Sequence, residues 1–494
     1  MSGLLAKNTF YLTAASIGQK AVAFFYFLAL AKTMGPEHTG AYFLALSITT
    51  IFSVIADFGL TPVIIREIAK QPRKEGTLLV RRAITLKIPF ILLGGVGSIL
   101  ASLALGYDVS VILLVAVATL VLAADAISLL YYGVLRGSQC LSFESAGIFI
   151  GQILTLLFGG AVLLFHPSLP WLVAALLVGS LFNAFFSVFQ VIQSFGKNIL
   201  QPLWDLKGIR VLLRLAFPFA LAGTFVKVYS SIDSLFLSHF AGTAAVGVYS
   251  VAYKFTYAFQ FLPMAFIAAL YPGMSAIVGK DPEQLAALFN RAMWYLAILA
   301  MPITLGLSVV ASDAVRLAGS DYDGAAPVLR VLVFVLMPIF LDFPVGSLLN
   351  AADRQGTKTA IMGITMVINV ILNAIFIPFL GAMGAALSAL VSFWFLFLAG
   401  LAFVPSVIPG YRWTNLFRTV IPIIASGLVM ALTAWFIRER FGFIPSIILG
   451  AIVYVLMLFL TRAVRSEDVQ SIRRLLLPSK KMDETYAELV TPDA

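Results

Sequence analysis

Fourteen apolar runs, each near the length of a bilayer-spanning helix, recur along almost the whole chain. They fall near 9–32, 40–62, 83–104, 109–134, 144–165, 171–193, 211–239, 246–273, 292–311, 327–350, 359–380, 383–405, 416–437 and 444–463. A hydrocarbon core about 30 Å thick needs roughly 20 apolar residues per helical pass, and lipid-exposed irregular backbone does not survive there. The fold class is therefore an all-α polytopic membrane protein with about 14 transmembrane helices. Composition agrees: of 494 residues 61% are hydrophobic and 11% charged, too little charge to cover a soluble surface. The weak alternation of a membrane β-barrel is absent. The first run has no small-residue cleavage site behind it and reads as a retained helix, not a signal peptide.

The net charge of +10 would suit a nucleic-acid partner in a soluble protein; topology explains it here. With the N-terminus inside, 24 of the 33 Lys and Arg fall in inner loops and tails. Only Lys32, Arg316, Arg330, Arg438 and Arg440 fall outside, and Lys20, Lys87, Lys227 and Lys254 lie within spans. By the positive-inside rule both termini face the cytoplasm of a plasma (inner) membrane, and no nucleic acid is expected. Loops are short, the longest outer one near 312–326, so no extramembrane domain is expected. The tail, 464–494, is read as a solvated basic end, with a short surface helix capped by Ser466 as the other reading. The single cysteine, Cys140, forms no internal disulfide. Scattered His38, His166 and His239 make no zinc set. No cofactor or metal is expected beyond a coupling cation, H+ or Na+.

Sliding the chain by 207 residues lays one hairpin on another without a gap. Phe10 meets Phe217, Lys20 meets Lys227, Gly35 meets Gly242, Gly40 meets Gly247 and Tyr42 meets Tyr249. The offset covers six spans, an even number, so both copies have the same orientation. This predicts two pseudo-symmetric six-helix lobes about an axis along the membrane normal. They are residues 1–210 (spans 1–6) and 211–410 (spans 7–12), with spans 13 and 14 (411–463) outside the repeat.

Polar residues keep helical spacing within the spans. Lys227, Ser230, Ser231, Ser234 and Ser238 share one face of span 7, and Thr9, Thr13, Ser16 and Lys20 share one face of span 1. Span 8 offers Tyr249, Tyr253, Tyr257 and Gln260 with Lys254 beside them. Asp125, Ser128, Tyr132 and Arg136 mark span 4, and Asp342 lies in span 10 between Pro338 and Pro344. A lysine at mid-bilayer costs roughly 2.5–3.5 kcal/mol on insertion scales. Lys20 and Lys227 lie too deep to snorkel easily, so a hydrated cavity that binds an anion is expected around them, with a structural lysine–carboxylate pair as the alternative. Lys87, one turn from the inner surface, reads as snorkelling. Asp57 and Arg136 sit at cytoplasmic ends and read equally as interfacial anchors. The serines also suit helix packing, and the tyrosine stripe suits either packing or ligand contact.

The stretch "MGPEHTGAYFLALSITTIFSVIADFGLTPVIIREIAK", with "YYGVLRGSQC", "LLNAADRQG" and "LGAMGAALSALVS" following in order, resembles the Wzx-like polysaccharide flippases of the multidrug/oligosaccharidyl-lipid/polysaccharide (MOP) exporter superfamily. The resemblance implies a two-lobe transporter, not an enzyme. It would move undecaprenyl-diphosphate-linked oligosaccharide from the cytoplasmic to the outer leaflet by alternating access. Membrane lipids and other glycan-assembly proteins are the implied partners. On this expectation Lys20, Lys227 and Lys254 hold the anionic headgroup, and Ser16, Ser231, Tyr253 and Tyr257 contact the glycan. Asp125, Asp233 and Asp342 carry a coupling ion or balance the lysines. The alternatives are a peptidoglycan lipid-precursor flippase and a multidrug exporter of the same superfamily. A membrane glycan polymerase or ligase is disfavoured, because the outer loops are short and poor in His, Glu and Arg.

Overall fold

Where the spans bend is set by a few residues. The computed structural model describes residues 2–70 and 73–464, the side chains of 2–16, 73, 74, 265, 267–269 and 415 apart. The helices are α1 Ser2–Asp57, α2 Leu60–Lys70, α3 Arg73–Ala104, α4 Val109–Gly137, α5 Leu141–Phe165, α6 Leu169–Phe195, α7 Leu206–Tyr229, α8 Ile232–Tyr257 and α9 Phe261–Ile277. There follow α10 Pro282–Val309, α11 Ala311–Arg316, α12 Ala325–Leu332, α13 Leu336–Ala351, α14 Gln355–Leu380, α15 Ala382–Ala402, α16 Trp413–Phe441 and α17 Phe443–Leu460. Among the described residues twelve helical segments are long and apolar enough to cross a membrane. Two of them, Ile17–Asp57 with 41 residues and Leu206–Met264 with 59, would measure about 60 and 90 Å if straight. Each instead folds back at a glycine, Gly35 (φ 74, ψ 174) and Gly242 (φ 80, ψ 171). This left-handed conformation is cheap only without a Cβ. Each of the two is long enough to cross twice, which reconciles twelve segments with about fourteen passes.

Two compact units emerge. The first comprises Met1–Phe289 with Ala311–Pro409, and the second comprises Asn290–Val310 with the chain from Gly410 onward. The first holds both copies of the repeated hairpin. A Cβ on Gly40 would lie 1.8 Å from the Thr243 carbonyl oxygen, and a Cβ on Gly247 would lie 1.9 Å from the Pro36 carbonyl oxygen. Pro36 and Thr243 are themselves 207 apart. The contact is thus reciprocal, as a two-fold requires, and its axis runs between the N-terminal half of span 2 and that of span 8. Only glycine lets the two backbones come this close.

The second unit contains most of α10 with α16 and α17, so span 9 clusters with the two extra C-terminal spans, not with its repeat copy. Its helices are tied by polar groups at the ends of apolar faces. The Tyr454 hydroxyl donates to the Ile298 carbonyl at 3.0 Å, Trp294 Nε1 to the Ala463 carbonyl at 2.8 Å, and the Tyr411 hydroxyl to Asn290 at 2.6 Å.

Span 7 departs from its expected single helix. The chain turns at Ser230–Ser231, and α8 begins at Ile232. The Ser231 amide bonds the Val228 carbonyl at 3.1 Å, an i→i−3 bond that tightens and ends α7. The serine face predicted as one stripe is therefore split between two helices. This also accounts for Asp233, which sits in the first turn of α8. There its carboxylate accepts from the Ser234 amide at 2.8 Å, and unpaired amides and the helix dipole favour negative charge. At the start of α7, Asp205 caps the helix, accepting from the Gly208 amide at 3.2 Å and from Arg82 at 2.6 Å. The Gly208 amide first, then the Arg82 guanidinium, hold its carboxyl below the usual carboxylate range. The tail beyond 464, with Ser466, lies outside the described residues.

Candidate functional site

Three spans from the two repeat copies enclose a cavity of about 400 Å³. Span 2 supplies Leu46, Thr49, Thr50, Ser53, Val54 and Asp57, α4 supplies Ala118 to Leu129 including Asp125, and α7 supplies Phe219, Ala220, Gly223 and Lys227. Thr49, Ser53 and Asp57 recur every four residues, so one helix face lines the cavity with two hydroxyls and a carboxylate. Asp57 is already engaged. Its Oδ1 accepts from Lys87 Nζ at 2.9 Å and from the Thr61 hydroxyl at 2.6 Å. Lys227 makes no hydrogen bond or ion pair within 4 Å of a described residue, and it faces the cavity with Asp125 across from it. The formal charges of Asp57 and Lys87, and of Asp125 and Lys227, balance, but only the first two are bonded to each other. Among the described residues that line the cavity, Lys227 brings an ammonium that no carboxylate holds.

The other expected residues are distributed differently. Lys20 and Lys254 do not line this cavity. The ammonium of Lys254 rests over the rings of Phe27 and Phe43, 5.2 and 5.8 Å from their centroids, a cation–π setting. Lys20 is half-buried in α1 without a polar partner among the described residues. The physical reason is the two-fold itself. Away from the axis, residues related by it face equivalent places and not one shared place, so Lys227 looks between spans 2, 4 and 7 and Lys20 does not join it there. Asp233 accepts from the Tyr249 hydroxyl and meets no lysine. Asp342 accepts from Lys358 Nζ at 2.6 and 2.7 Å, and Arg136 forms a two-pronged pair with the fully buried Glu144, Nε to Oε2 at 2.7 Å. Tyr249, Tyr253 and Tyr257 form an aromatic column, with successive centroids 6.1 and 4.1 Å apart, that ends on Phe393. Ser231 is buried at the break between α7 and α8. The side chain of Ser16 lies outside the described residues, as do those of Thr9 and Thr13.

A family described as "Polysaccharide biosynthesis protein" matches residues 5–278, more than half of the chain. The chain belongs to the polysaccharide biosynthesis protein family. Within the MOP superfamily it is a Wzx-like member, and the MatE family matches residues 218–375. The probable flippase AglR of Haloferax volcanii is 30% identical over 33% of this chain, and the match spans only 35% of that relative's length. Agl15, a probable low-salt glycan biosynthesis flippase of the same organism, is 25% identical over 79% of this chain and 81% of its own. Among solved structures, a lipid II flippase MurJ in an inward closed conformation has the same fold: TM-score 0.76 and 16% identity, over 91% of this chain and 98% of that one. A multidrug resistance MATE family transporter in an inward-facing conformation gives a TM-score of 0.66 at 15% identity, over 81% of this chain and 100% of that one.

For this family member, reading the sequence missed three things around the site. Lys87 does not snorkel; it is 2% exposed and paired with Asp57. The correction is physical, because a carboxylate 30 residues earlier in sequence stands within reach only once α1 and α3 pack. Lys358, read as an inner-loop residue, turns back to Asp342. The spacing Asn369/Asn373 and Ser388/Ser392 was legible as two i,i+4 polar pairs inside apolar runs, and the structure brings them together: Asn369 donates to Ser392 at 3.3 Å and Asn373 to Asn369 at 3.0 Å.

Proposed function

We propose that this protein is a flippase that carries lipid-linked oligosaccharide across the plasma membrane by alternating access. In this reading its termini are cytoplasmic, and the carrier is undecaprenyl diphosphate, as the family resemblance implies. The observation that carries the reading is the unpaired Lys227 ammonium in a cavity formed by both repeat copies. A diphosphate is the kind of ligand such a group takes. Charge-assisted hydrogen bonds are the stronger ones, and burying a lysine without a ligand is costly. Asp125 is the competitor for that ammonium. A proton taken up by Asp125 frees Lys227 for the headgroup, and loss of the proton returns it; a cation at Asp125 would act in the same sense. Lys20 serves the equivalent region of the other lobe when access switches. Hydroxyls of Thr49, Thr50 and Ser53 suit sugar contacts, while the prenyl chain stays in lipid.

The cavity carboxylates favour one other reading, an exporter of cationic drugs. Asp57 is bonded to Lys87 and a lysine stands in the same lining as Asp125, so neither carboxylate is left to a cation alone, whereas the Lys227 ammonium has no bonded partner among the described residues. This supports the glycan flippase.

The test is complementation in a flippase-null host, scoring surface glycan at matched protein level. Removing one charge-assisted contact should lower export about ten- to a hundredfold for Lys227→Ala, with Lys227→Arg retaining part of it. Parental export by the double variant Lys20→Ala, Lys227→Ala would overturn the anion-site reading.

A further inference from the structure

On the face opposite the amino terminus, each repeat copy reaches across to the other with one tyrosine. Tyr107 lies in the loop between α3 and α4, and its hydroxyl is 2.6 Å from Ser238 Oγ on α8. Ser238 gives its own proton to the Leu235 carbonyl at 2.8 Å, so Tyr107 is the donor. Tyr322 lies in the loop between α11 and α12. Its hydroxyl hydrogen-bonds the Ala31 carbonyl oxygen, which accepts, at 3.1 Å and the Thr39 hydroxyl at 2.8 Å. Ala31 and Ser238 are 207 residues apart, the repeat offset, so the two tyrosines end on equivalent points of the first helices of opposite lobes. Both sit in a Tyr-Asp pair one and three residues, respectively, after a loop glycine with positive φ, Gly106 (φ 72) and Gly319 (φ 124). Tyr322 is 1% exposed and Tyr107 half-buried. The duplication therefore extends to a reciprocal pair of contacts between sequence regions whose helix spacing shows no alignment.

We propose that Tyr107 and Tyr322 are paired latches that hold this face closed and release together when the lobes exchange access. The geometry fits release better than permanent structure. Each latch is a single phenol hydroxyl on a short loop, each crosses from one lobe to the other, and among the described residues neither tyrosine is backed by an ion pair to the opposite lobe. A net hydrogen bond of this kind is weak enough to break in each cycle and strong enough to bias the closed form. Because the two contacts are related by the two-fold, any separation of the lobes on this face lengthens both, so their effects on the closed–open equilibrium should multiply.

The latches rest on the alternating-access reading, but their test does not use transport, so the two can fail separately. Spin labels at Asp108→Cys and Asp321→Cys, in a Cys140→Ser background of the full chain in lipid nanodiscs, report the distance between the two loops by pulsed electron resonance. Tyr107→Phe and Tyr322→Phe should each raise the open-to-closed ratio about fivefold, and together about 25-fold, while keeping the ring packing. Tyr454→Phe removes a comparable bond to Ile298 away from the latches and should leave the distances unchanged. The proposal is overturned if the double variant keeps the parental distribution, if the double shifts no further than either single, or if Tyr454→Phe shifts it equally.

Discussion

At the scale of residues, the four lysines within the spans meet four different fates. Lys87 is bonded to Asp57, Lys254 lies over two aromatic rings, Lys227 faces a cavity, and Lys20 has no polar partner among the described residues. The first is structural. Breaking a buried pair from one side leaves a bare charge and costs about 3–5 kcal/mol, whereas replacing both partners by apolar groups is often near neutral. Asp57→Ala should therefore lower the thermal midpoint in detergent by several degrees, and Asp57→Leu with Lys87→Leu should recover most of it. Equal losses in the single and the double variant would mean that Asp57 stabilises through Thr61 and not through Lys87. The same logic separates Lys227. It has no bonded carboxylate to strand, so Lys227→Ala should leave the midpoint close to the parent while affecting export.

At the scale of elements, the decisive contact is that of span 2 with span 8, where Gly40 and Gly247 let two backbones touch. A methyl at either position must push a carbonyl aside from under 2 Å. Overpacking of this kind costs typically 1–3 kcal/mol. Gly40→Ala and Gly247→Ala should each destabilise by about that much, measured as loss of midpoint. The double variant should cost clearly less than the sum, because the first methyl already separates the helices that the second would clash with. Strict additivity would mean that the two glycines do not share one contact. These glycines were legible as a repeated G-x4-G-x-Y pattern, but their mutual contact was not. Repetition in sequence says that two places are alike, and only packing says that the axis passes between them. The break at Ser230–Ser231 was hidden for a different reason. The apolar run continues through it, and serine hydroxyls bond a helix's own carbonyls as readily inside a helix as at its end.

At the scale of the whole molecule, the second copy of the repeat carries seven extra residues that the opening hairpins do not reveal. The C-terminal ends of α4 and α13 close with the same bonds. The amides of Ser138, Gln139 and Cys140 reach Val134, Arg136 and Leu135, and those of Ala352, Asp353 and Arg354 reach Leu348, Asn350 and Leu349. Gln139 and Asp353 both take positive φ, 61 and 57, as a C-terminal cap of this type requires. Their offset is 214, and so is that of Glu144 and Lys358, which pair with Arg136 and Asp342 respectively: equivalent positions with reversed charge. Fold and repeat could thus be read from apolar length and matched glycines. The ion pairs could not, since sequence carries residue type but not which neighbour a charge turns to. If the two copies are complete structural halves, the link between them should matter only for holding them together. That link, residues 196–205, is itself held to α3, with Arg81 bonding the Gln201 carbonyl at 2.9 Å and the Leu203 amide bonding Thr85 at 2.9 Å. Chains 1–204 and 205–494, co-expressed with one tag, should then co-purify from the membrane and restore surface glycan in the flippase-null host. Gly40→Ala in the first chain should cut recovery of the second by about tenfold, since 1–3 kcal/mol at the shared contact is no longer offset by a covalent link. Halves that each accumulate yet never co-purify would place the cohesion of the molecule in the linker, and not in the contact on the axis.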